Sequence, residues 1–169
     1  MEFKKTIELR HSVRHFLKQP IDNEKIDSIL EIVNKCPSAG NLQSYKIYLV
    51  KNQNIKKELA EAAIDQEFIY QAPLVMVFCA NQEECELKYG LRGKELYSIQ
   101  DATIAASYAQ LAAADQNIGS VWVGAFDPEK VKLILKTTFL PVAIIPIGYY
   151  SEQSFLRERK QKNEIFEEI

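Results

Sequence analysis

The chain has 169 residues, of which 47% are hydrophobic and 26% are charged. This length and composition predict one ordinary globular domain over residues 1–169 with a single substantial core, and they exclude a disordered or fibrous chain. The formal net charge of −2 excludes a general attraction to nucleic acids or anionic membranes.

The N-terminus and the cysteines indicate the cellular compartment. The first ten residues carry charges where a signal peptide needs an apolar run, and no window approaches the roughly 20 apolar residues that span a bilayer. The three cysteines lack CxxC spacing, so no disulfide framework is expected; they are Cys36, Cys79 and Cys85. We therefore expect a cytoplasmic protein with reduced thiols.

The first half of the chain alternates between predicted helices and strands. Residues 2–10 predict a short helix, and a second helix begins after Asp22 at its N-cap and ends near Cys36 and Pro37. The next elements are a strand at 46–51, a helix at 54–65 and, because it is apolar on both faces, a fully buried strand at 74–80. A polar segment follows.

The second half has a distinctive alanine-rich segment. Residues 97–117 contain seven alanines, which predicts a helix enclosed on most sides, with Gly119 as its C-terminal stop. The remaining elements are a strand at 120–126, a helix at 127–136 with Asp127 and Pro128 at its start, and a strand at 142–150. Interleaved helices and buried strands predict a mixed α/β or α+β layered domain.

A short basic segment, LRHSVRHF, is the first candidate site. Arg10, Ser12 and Arg14 can give a phosphate charge-assisted and forked hydrogen bonds. An exposed basic helix end is the alternative interpretation. His11 and His15 are the only two histidines, and no HExxH motif or nearby ligand set completes a metal site around them, so metal binding is not expected.

Three other segments are weaker candidates. The loop in CPSAGNLQSY offers short polar side chains and free backbone amides, although an ordinary helix-to-strand turn has the same composition. In VGAF, Gly124 and Ala125 leave backbone N–H groups open to a ligand. The tail FLRERK carries Arg157 and Arg159, and an exposed charged tail is the alternative. Neither GxGxxG nor GxxxxGK[ST] follows any predicted strand, which argues against Rossmann and P-loop phosphate sites.

Four of these motifs occur together and in a specific order. RHSVRHF is similar to RRS-x-R-x-F, PSAGNLQSY to PSAGNxQPW, NIGSVWVGAF to LGxGxxWVGAF, and PVAIIPIGYY to PVAxIPIGYP. The right-hand patterns are those of the nitroreductase family of FMN-dependent oxidoreductases, in which an alanine-rich helix like QDATIAASYAQLAAA precedes WVGAF. The chain resembles this family from about Arg10 to Arg159.

The resemblance implies a fold and an activity. The fold is α+β, with three layers (α/β/α), a central mixed sheet and an intertwined homodimer that binds FMN at its interface. The activity is an oxidoreductase that passes hydride from NADH or NADPH through FMN to a small organic acceptor, such as a nitroaromatic or a quinone, in a ping-pong cycle. Two alternatives stay open: a non-catalytic flavin-binding or redox-partner protein, and a specialised flavin enzyme such as a reductive dehalogenase.

The resemblance also assigns residues to the FMN phosphate and ribityl chain. Arg10 and Ser12 bind this part of FMN together with Arg157 or Arg159 of the tail. His11 adds at most a backbone contact.

A second set of residues is assigned to the flavin ring. Arg14 lies near N1 and O2, where a cation stabilises the reduced ring. Gly124, with Ala125, presents a backbone N–H near N5, and Gln66 reaches the ring edge. The partner subunit contributes four loop residues, namely Pro37, Ser38, Asn41 and Gln43.

The sequence departs from the family pattern in three places. Ser44 and Tyr45 replace the usual Pro-Trp, and RKQKNEIF replaces RKPLEEVV in the tail. The segment 83–97 is short and lacks the long helical excursion of larger members, which predicts an open pocket with broad substrate tolerance.

Overall fold

A computed structural model gives the structure of the chain for residues 2–151 and 158–169. The helices of this part are α1 (Phe3–Leu9), α2 (Asn23–Val33), α3 (Gln53–Ala62), α4 (Phe68–Gln71), α5 (Gln82–Arg92), α6 (Ser98–Asp115) and α7 (Pro128–Leu135). The strands are β1 (Tyr45–Val50), β2 (Leu74–Ala80), β3 (Gly119–Ser120) and β4 (Leu140–Gly148). Most of these bounds agree with the predicted elements to within two residues, and the start of β2 and its end agree fully.

The four strands form one sheet with helices on both faces. The strand order is β1-β2-β4-β3, so β2 and β4 are central. Alternate residues of β2 face opposite sides, as the period of a strand requires. Leu74, Met76 and Phe78 pack with α2 and α6, whereas Val75, Val77 and Cys79 pack with α3, α4 and α7. The structure therefore confirms the three-layer α+β arrangement.

The strand pairing is antiparallel at all three interfaces of the sheet. Among the described residues, the expected mixed character is limited to a single parallel bridge between Ser12 and Ser120. This bridge attaches the N-terminal segment to the β3 edge of the sheet, which is the edge that carries the candidate phosphate residues.

The predicted strand at 120–126 is wrong over most of its length. β3 contains only Gly119 and Ser120, and pairing resumes only at an isolated bridge between Val123 and Ile144. The interruption has a cause on the neighbouring strand: Val121 donates to the carbonyl of Pro146 at 3.4 Å, and Pro146 has no N–H to return a hydrogen bond.

Two predicted helix ends are also wrong. The helix α6 ends at Asp115, and Asn117 rather than Gly119 takes the left-handed backbone (φ 57°) that terminates it. The helix α3 ends at Ala62 instead of 65 because Ile64 and Asp65 both have positive φ.

The polar segment after β2 is helical, although no element was predicted there. Asn81 caps α5 by accepting from the N–H of Glu84. Gly90 interrupts the helical backbone with φ 62° and ψ −153°, and a π-helical turn at Gly93–Tyr97 leads into α6. Among the residues that the structure describes, no helix is long and apolar enough to cross a membrane.

Candidate functional site

The basic segment between α1 and α2 is extended and lies along the sheet edge. Val13 donates its N–H to the carbonyl of Ser120 at 3.0 Å, and Leu17 donates to the carbonyl of Tyr149 at 2.8 Å. Val13 is buried, whereas Ser12 and Arg14 are exposed. Because successive side chains of extended backbone point to opposite sides, burial of Val13 turns Ser12 and Arg14 together towards solvent.

Three polar side chains of this segment, those of Arg10, Ser12 and Arg14, are available to a ligand. In residues 2–151 and 158–169, the side chains of Arg10 and Ser12 make no hydrogen bond or ion pair. The guanidinium carbon of Arg14 lies 5.9 Å from the centre of the Phe68 ring, a weak cation–π contact that leaves its N–H donors open. Two guanidinium groups and a hydroxyl therefore lie on one short exposed segment.

His11 has a different role from its two arginine neighbours. Its Nδ1–H donates to the carbonyl of Leu9 at 2.8 Å, and its ring packs edge-on against Tyr150 at 5.1 Å. No group of three or more His, Cys, Asp or Glu side chains suited to a metal occurs in the part of the chain that the structure describes. His11 thus fastens the basic segment to the end of β4.

The turn after β3 lies next to the end of α3. Gln66 Nε2 donates to the carbonyls of Ala63 at 2.7 Å and Ala125 at 3.3 Å. Gly124 and Ala125 are exposed, and their backbone N–H groups have no acceptor within the described residues. The structure therefore brings Gln66 and Ala125 together, and Phe68 links Arg14 to the same region.

The loop between α2 and β1 has an unusual backbone. Gly40, Asn41 and Gln43 have positive φ values of 54°, 58° and 49°. Glycine and asparagine tolerate this conformation, whereas glutamine adopts it at a cost of roughly 1–2 kcal/mol. The Gln43 N–H donates to Ser38 Oγ at 2.9 Å, and its side-chain amide donates to the carbonyl of Asn41 at 2.6 Å. The polar side chains of the loop are therefore held by internal hydrogen bonds.

A buried carboxylate lies beneath this loop. Asp101 of α6 is only 2% exposed; it accepts from the N–H of Ala39 at 2.9 Å and from Ser44 Oγ at 2.7 Å. Sequence reasoning did not single out this residue. The available signal was one acidic side chain in the otherwise uncharged helical run QDATIAASYAQLAAA.

Tyr45, which replaces the family's tryptophan, packs beside this carboxylate. Its hydroxyl lies 3.4 Å from Cys36 Sγ. Burial raises the pKa of the Tyr45 phenol, and the neighbouring Cys36 and the negative charge of Asp101 raise it further. The phenol therefore stays protonated at neutral pH and contributes no acid–base chemistry.

A groove of about 650 Å³ opens beside the loop. Its lining includes Pro37 and Ser38 of the loop, Ile104 of α6, and the rings of Tyr89 and Tyr97. The two tyrosine rings meet edge-on at 5.4 Å. A largely apolar groove of this size with aromatic walls suits a flat organic ring.

The predicted site residues thus form two groups within one chain. The first group contains the basic segment, Gln66 and the turn at Gly124 and Ala125. The basic segment hydrogen-bonds to β3 and to the end of β4, and Gln66 joins the end of α3 to the turn after β3. The hydrogen bonds of the loop residues run to α5 and α6, through Lys88 on the Gly40 carbonyl at 3.3 Å and through Asp101. Of the two tail arginines, Arg159 is exposed, and Arg157 lies outside the described residues.

Comparison with known proteins agrees with this architecture. The model of the nitroreductase family matches residues 7–79 and 63–149. An "FMN reductase [NAD(P)H]" of Bacillus subtilis is 29% identical over 92% of this chain and 68% of its own length. An "NADH dehydrogenase" of Thermus thermophilus is 27% identical over 89% of this chain and 87% of its own.

A solved structure gives the same result in three dimensions. A nitroreductase family protein of Clostridium novyi NT superposes with a TM-score of 0.82 and is 31% identical, over 90% of this chain and 87% of its own. The chain therefore belongs to the nitroreductase family.

Proposed function

We propose that the protein is an FMN-dependent oxidoreductase that passes hydride from NADH or NADPH to a small organic acceptor, such as a nitroaromatic or a quinone. Family membership and the relatives named FMN reductase and NADH dehydrogenase support an NAD(P)H-dependent flavin enzyme. The observation that carries the proposal is the exposed segment of Arg10, Ser12 and Arg14 beside the open N–H groups of Gly124 and Ala125.

The residues present fit the chemical parts of FMN. A phosphate dianion needs several donors, and Arg10 and Ser12 offer them without a competing partner in the described chain. Arg159 is exposed and adds a further cation, and Arg157 is its neighbour in sequence. A flat ring needs apolar surfaces and a few polar groups at its edge, which the groove and Gln66 provide.

Each residue then has a defined task. FMN, when bound, supplies an atom, N5, that accepts hydride from one substrate and gives it to another. Arg14 would supply a positive charge at the N1 and O2 side of a bound ring, which would favour its reduced form. Gly124 has no side chain, so its N–H and that of Ala125 can approach the ring edge closely. No side-chain nucleophile is required.

We further propose that the residues of the loop between α2 and β1 contact the flavin from the partner subunit of a homodimer. Pro37, Ser38, Asn41 and Gln43 lie in the loop between α2 and β1, whereas the residues proposed for the FMN phosphate lie on the segment between α1 and α2. This arrangement supports two separate contributions to a flavin site. The terminal segment 158–169 supports this assembly because it exposes three large apolar side chains, Ile165 by 60%, Phe166 by 70% and Ile169 fully.

The proposed reaction is tested by anaerobic rapid mixing. The purified protein is expected to be yellow, and NADH or NADPH should bleach its flavin absorbance within seconds. A panel of nitroaromatic and quinone acceptors should restore the absorbance, and steady-state plots should show the parallel lines of a ping-pong cycle. Yellow protein that neither nucleotide bleaches would instead identify a non-catalytic flavin protein.

A further inference from the structure

Asp101 is a buried charged group with no task in the proposed reaction. Its side chain lies in the first turn of α6 and is 2% exposed. Removing a carboxylate from water is costly unless hydrogen bonds replace its hydration. Both oxygens of Asp101 are satisfied, one by the N–H of Ala39 and the other by the hydroxyl of Ser44.

These two donors stand at opposite ends of one loop. Ala39 begins the segment 39–44 and Ser44 ends it, so a single carboxylate closes the loop from below. Ser44 is itself 0% exposed, and its carbonyl accepts from the N–H of Asn81 at 2.9 Å. The closing contact is therefore tied to Asn81, which follows β2 and caps α5, as well as to α6.

The backbone inside this closure needs an external constraint. Gly40, Asn41 and Gln43 all have positive φ, and such clustered left-handed residues persist only where surrounding contacts hold them. From above, Lys88 donates to the Gly40 carbonyl at 3.3 Å. The loop also has internal hydrogen bonds from Gln43 to Ser38 and Asn41. Among the contacts from other elements, the lysine is exposed and its bond is long, whereas Asp101 is buried and accepts two shorter bonds.

We infer that Asp101 is a positioning residue that holds the loop 39–44 in the conformation that presents Ser38, Asn41 and Gln43 to the flavin ring. This inference rests on the proposed function, because it assigns a ligand to those side chains. Asp101 acts through the loop, because its carboxylate is 2% exposed and both of its oxygens already accept from Ala39 and Ser44. A carboxylate accepts stronger hydrogen bonds than a neutral oxygen does, and the place of Asp101 on the helix α6 fixes where the loop stands.

Three variants separate this role from simple packing. Asp101→Asn keeps an oxygen for the Ala39 N–H, and its NH₂ can donate to Ser44 Oγ, so FMN affinity should stay within about threefold of the wild type. Ser44→Ala removes one of the two contacts and should weaken FMN binding about tenfold. Asp101→Leu removes both, and its loss should exceed that of Ser44→Ala.

Tyr48→Phe is the matched control. It removes a hydrogen bond of the same length, 2.7 Å, from the Tyr48 hydroxyl to Thr137 Oγ1, away from the loop. It should lower the stability to unfolding and leave FMN affinity unchanged. If the role of Ser44 were merely structural, Ser44→Ala would behave in the same way.

The measurements are FMN dissociation constants, by flavin fluorescence on folded protein, and amide hydrogen exchange of residues 39–44 without ligand. Ser44→Ala should show faster amide exchange in this loop together with weaker FMN binding. In Asp101→Asn, the exchange rate and the FMN affinity should both lie closer to the wild-type values than they do in Asp101→Leu. If Asp101→Leu does not fold, Ser44→Ala and Asp101→Asn decide the matter.

Two failures are distinguishable. If wild-type protein binds FMN and is reduced by NAD(P)H, but Ser44→Ala binds FMN as tightly and exchanges no faster, the inference is overturned and the proposed function stands. If wild-type protein binds no FMN, the proposed function is overturned and the role of Asp101 towards flavin with it.

Discussion

Gly119→Ala tests the packing that places the basic segment at the sheet edge. A Cβ at Gly119 would lie 2.7 Å from Tyr150 Cδ1, 2.7 Å from Val13 Cγ2 and 3.0 Å from Val13 Cβ. Ordinary contacts begin near 3.4 Å, so both neighbours must move by several tenths of an ångström. Val13 is 2% exposed and β-branched, so it cannot rotate away, and the backbone of the segment must shift.

The expected cost follows from this geometry. Overpacking of a buried site costs about 1–3 kcal/mol, and the lower chain entropy of alanine in the unfolded state offsets about 0.4–1 kcal/mol of it. At the middle of both ranges the net loss in the free energy of unfolding is about 1.3 kcal/mol, which for a chain of this size lowers Tm by about 3–5 °C. FMN affinity should fall as well, because Ser12 and Arg14 flank the displaced Val13.

Urea denaturation with an unchanged m-value measures the loss, and flavin titration measures the affinity. Gly124→Ala is the matched control for stability, because the unfolded chain changes equally and the nearest atom to the new Cβ is Trp122 Nε1 at 3.3 Å. It should keep or raise the free energy of unfolding, by up to about 1 kcal/mol, because it has the same unfolded-state entropy effect without a buried clash. Equal stabilities of the two variants would refute the packing argument.

Three further outcomes are expected. The double variant Arg10→Ala, Arg159→Ala should be purified without FMN, and normal flavin retention would defeat the phosphate assignment. Arg14→Ala should lower the flavin reduction potential, since the reduced ring loses a neighbouring cation; an unchanged potential in spectroelectrochemistry would remove that role. For Lys56, which is 4% exposed with Nζ donating to the Ala72 carbonyl, burial lowers the pKa below 10.5. As pH rises, Lys56 therefore loses its proton in the folded state before it does so in the unfolded state. Between the folded-state pKa and 10.5, the free energy of unfolding of the wild type should increase relative to that of Lys56→Met. Urea denaturation that shows no change of this difference with pH would contradict the reasoning.

Sequence reasoning succeeded where local chemistry decides the structure. β2 is apolar on both faces and lies between two helical layers, as a fully apolar run of seven residues predicts. Asp127 accepts from the N–H groups of Glu129 and Lys130, with Pro128 in the first turn of α7. These features need only a few neighbouring residues, so a single sequence contains them.

The same reasoning failed where a distant residue decides. The strand predicted at 120–126 lacks regular pairing because Pro146, on another strand, cannot donate a hydrogen bond. The importance of Asp101 was missed because its two partners lie 57 and 62 residues away in the chain. A pattern of neighbouring residues in the sequence cannot predict either of these long-range contacts.

The sequence by itself determined the order of the motifs, the resemblance to a family and the residue types suited to a phosphate and a flat ring. Only the tertiary structure decided which of them meet. It placed Gln66 against Ala125 and Arg14 over Phe68. It attached the loop that contains Ser38 and Gln43 to α5 and α6 instead. The physical reason is that these contacts depend on strand order and layer packing, which bring together side chains that the chain itself keeps far apart.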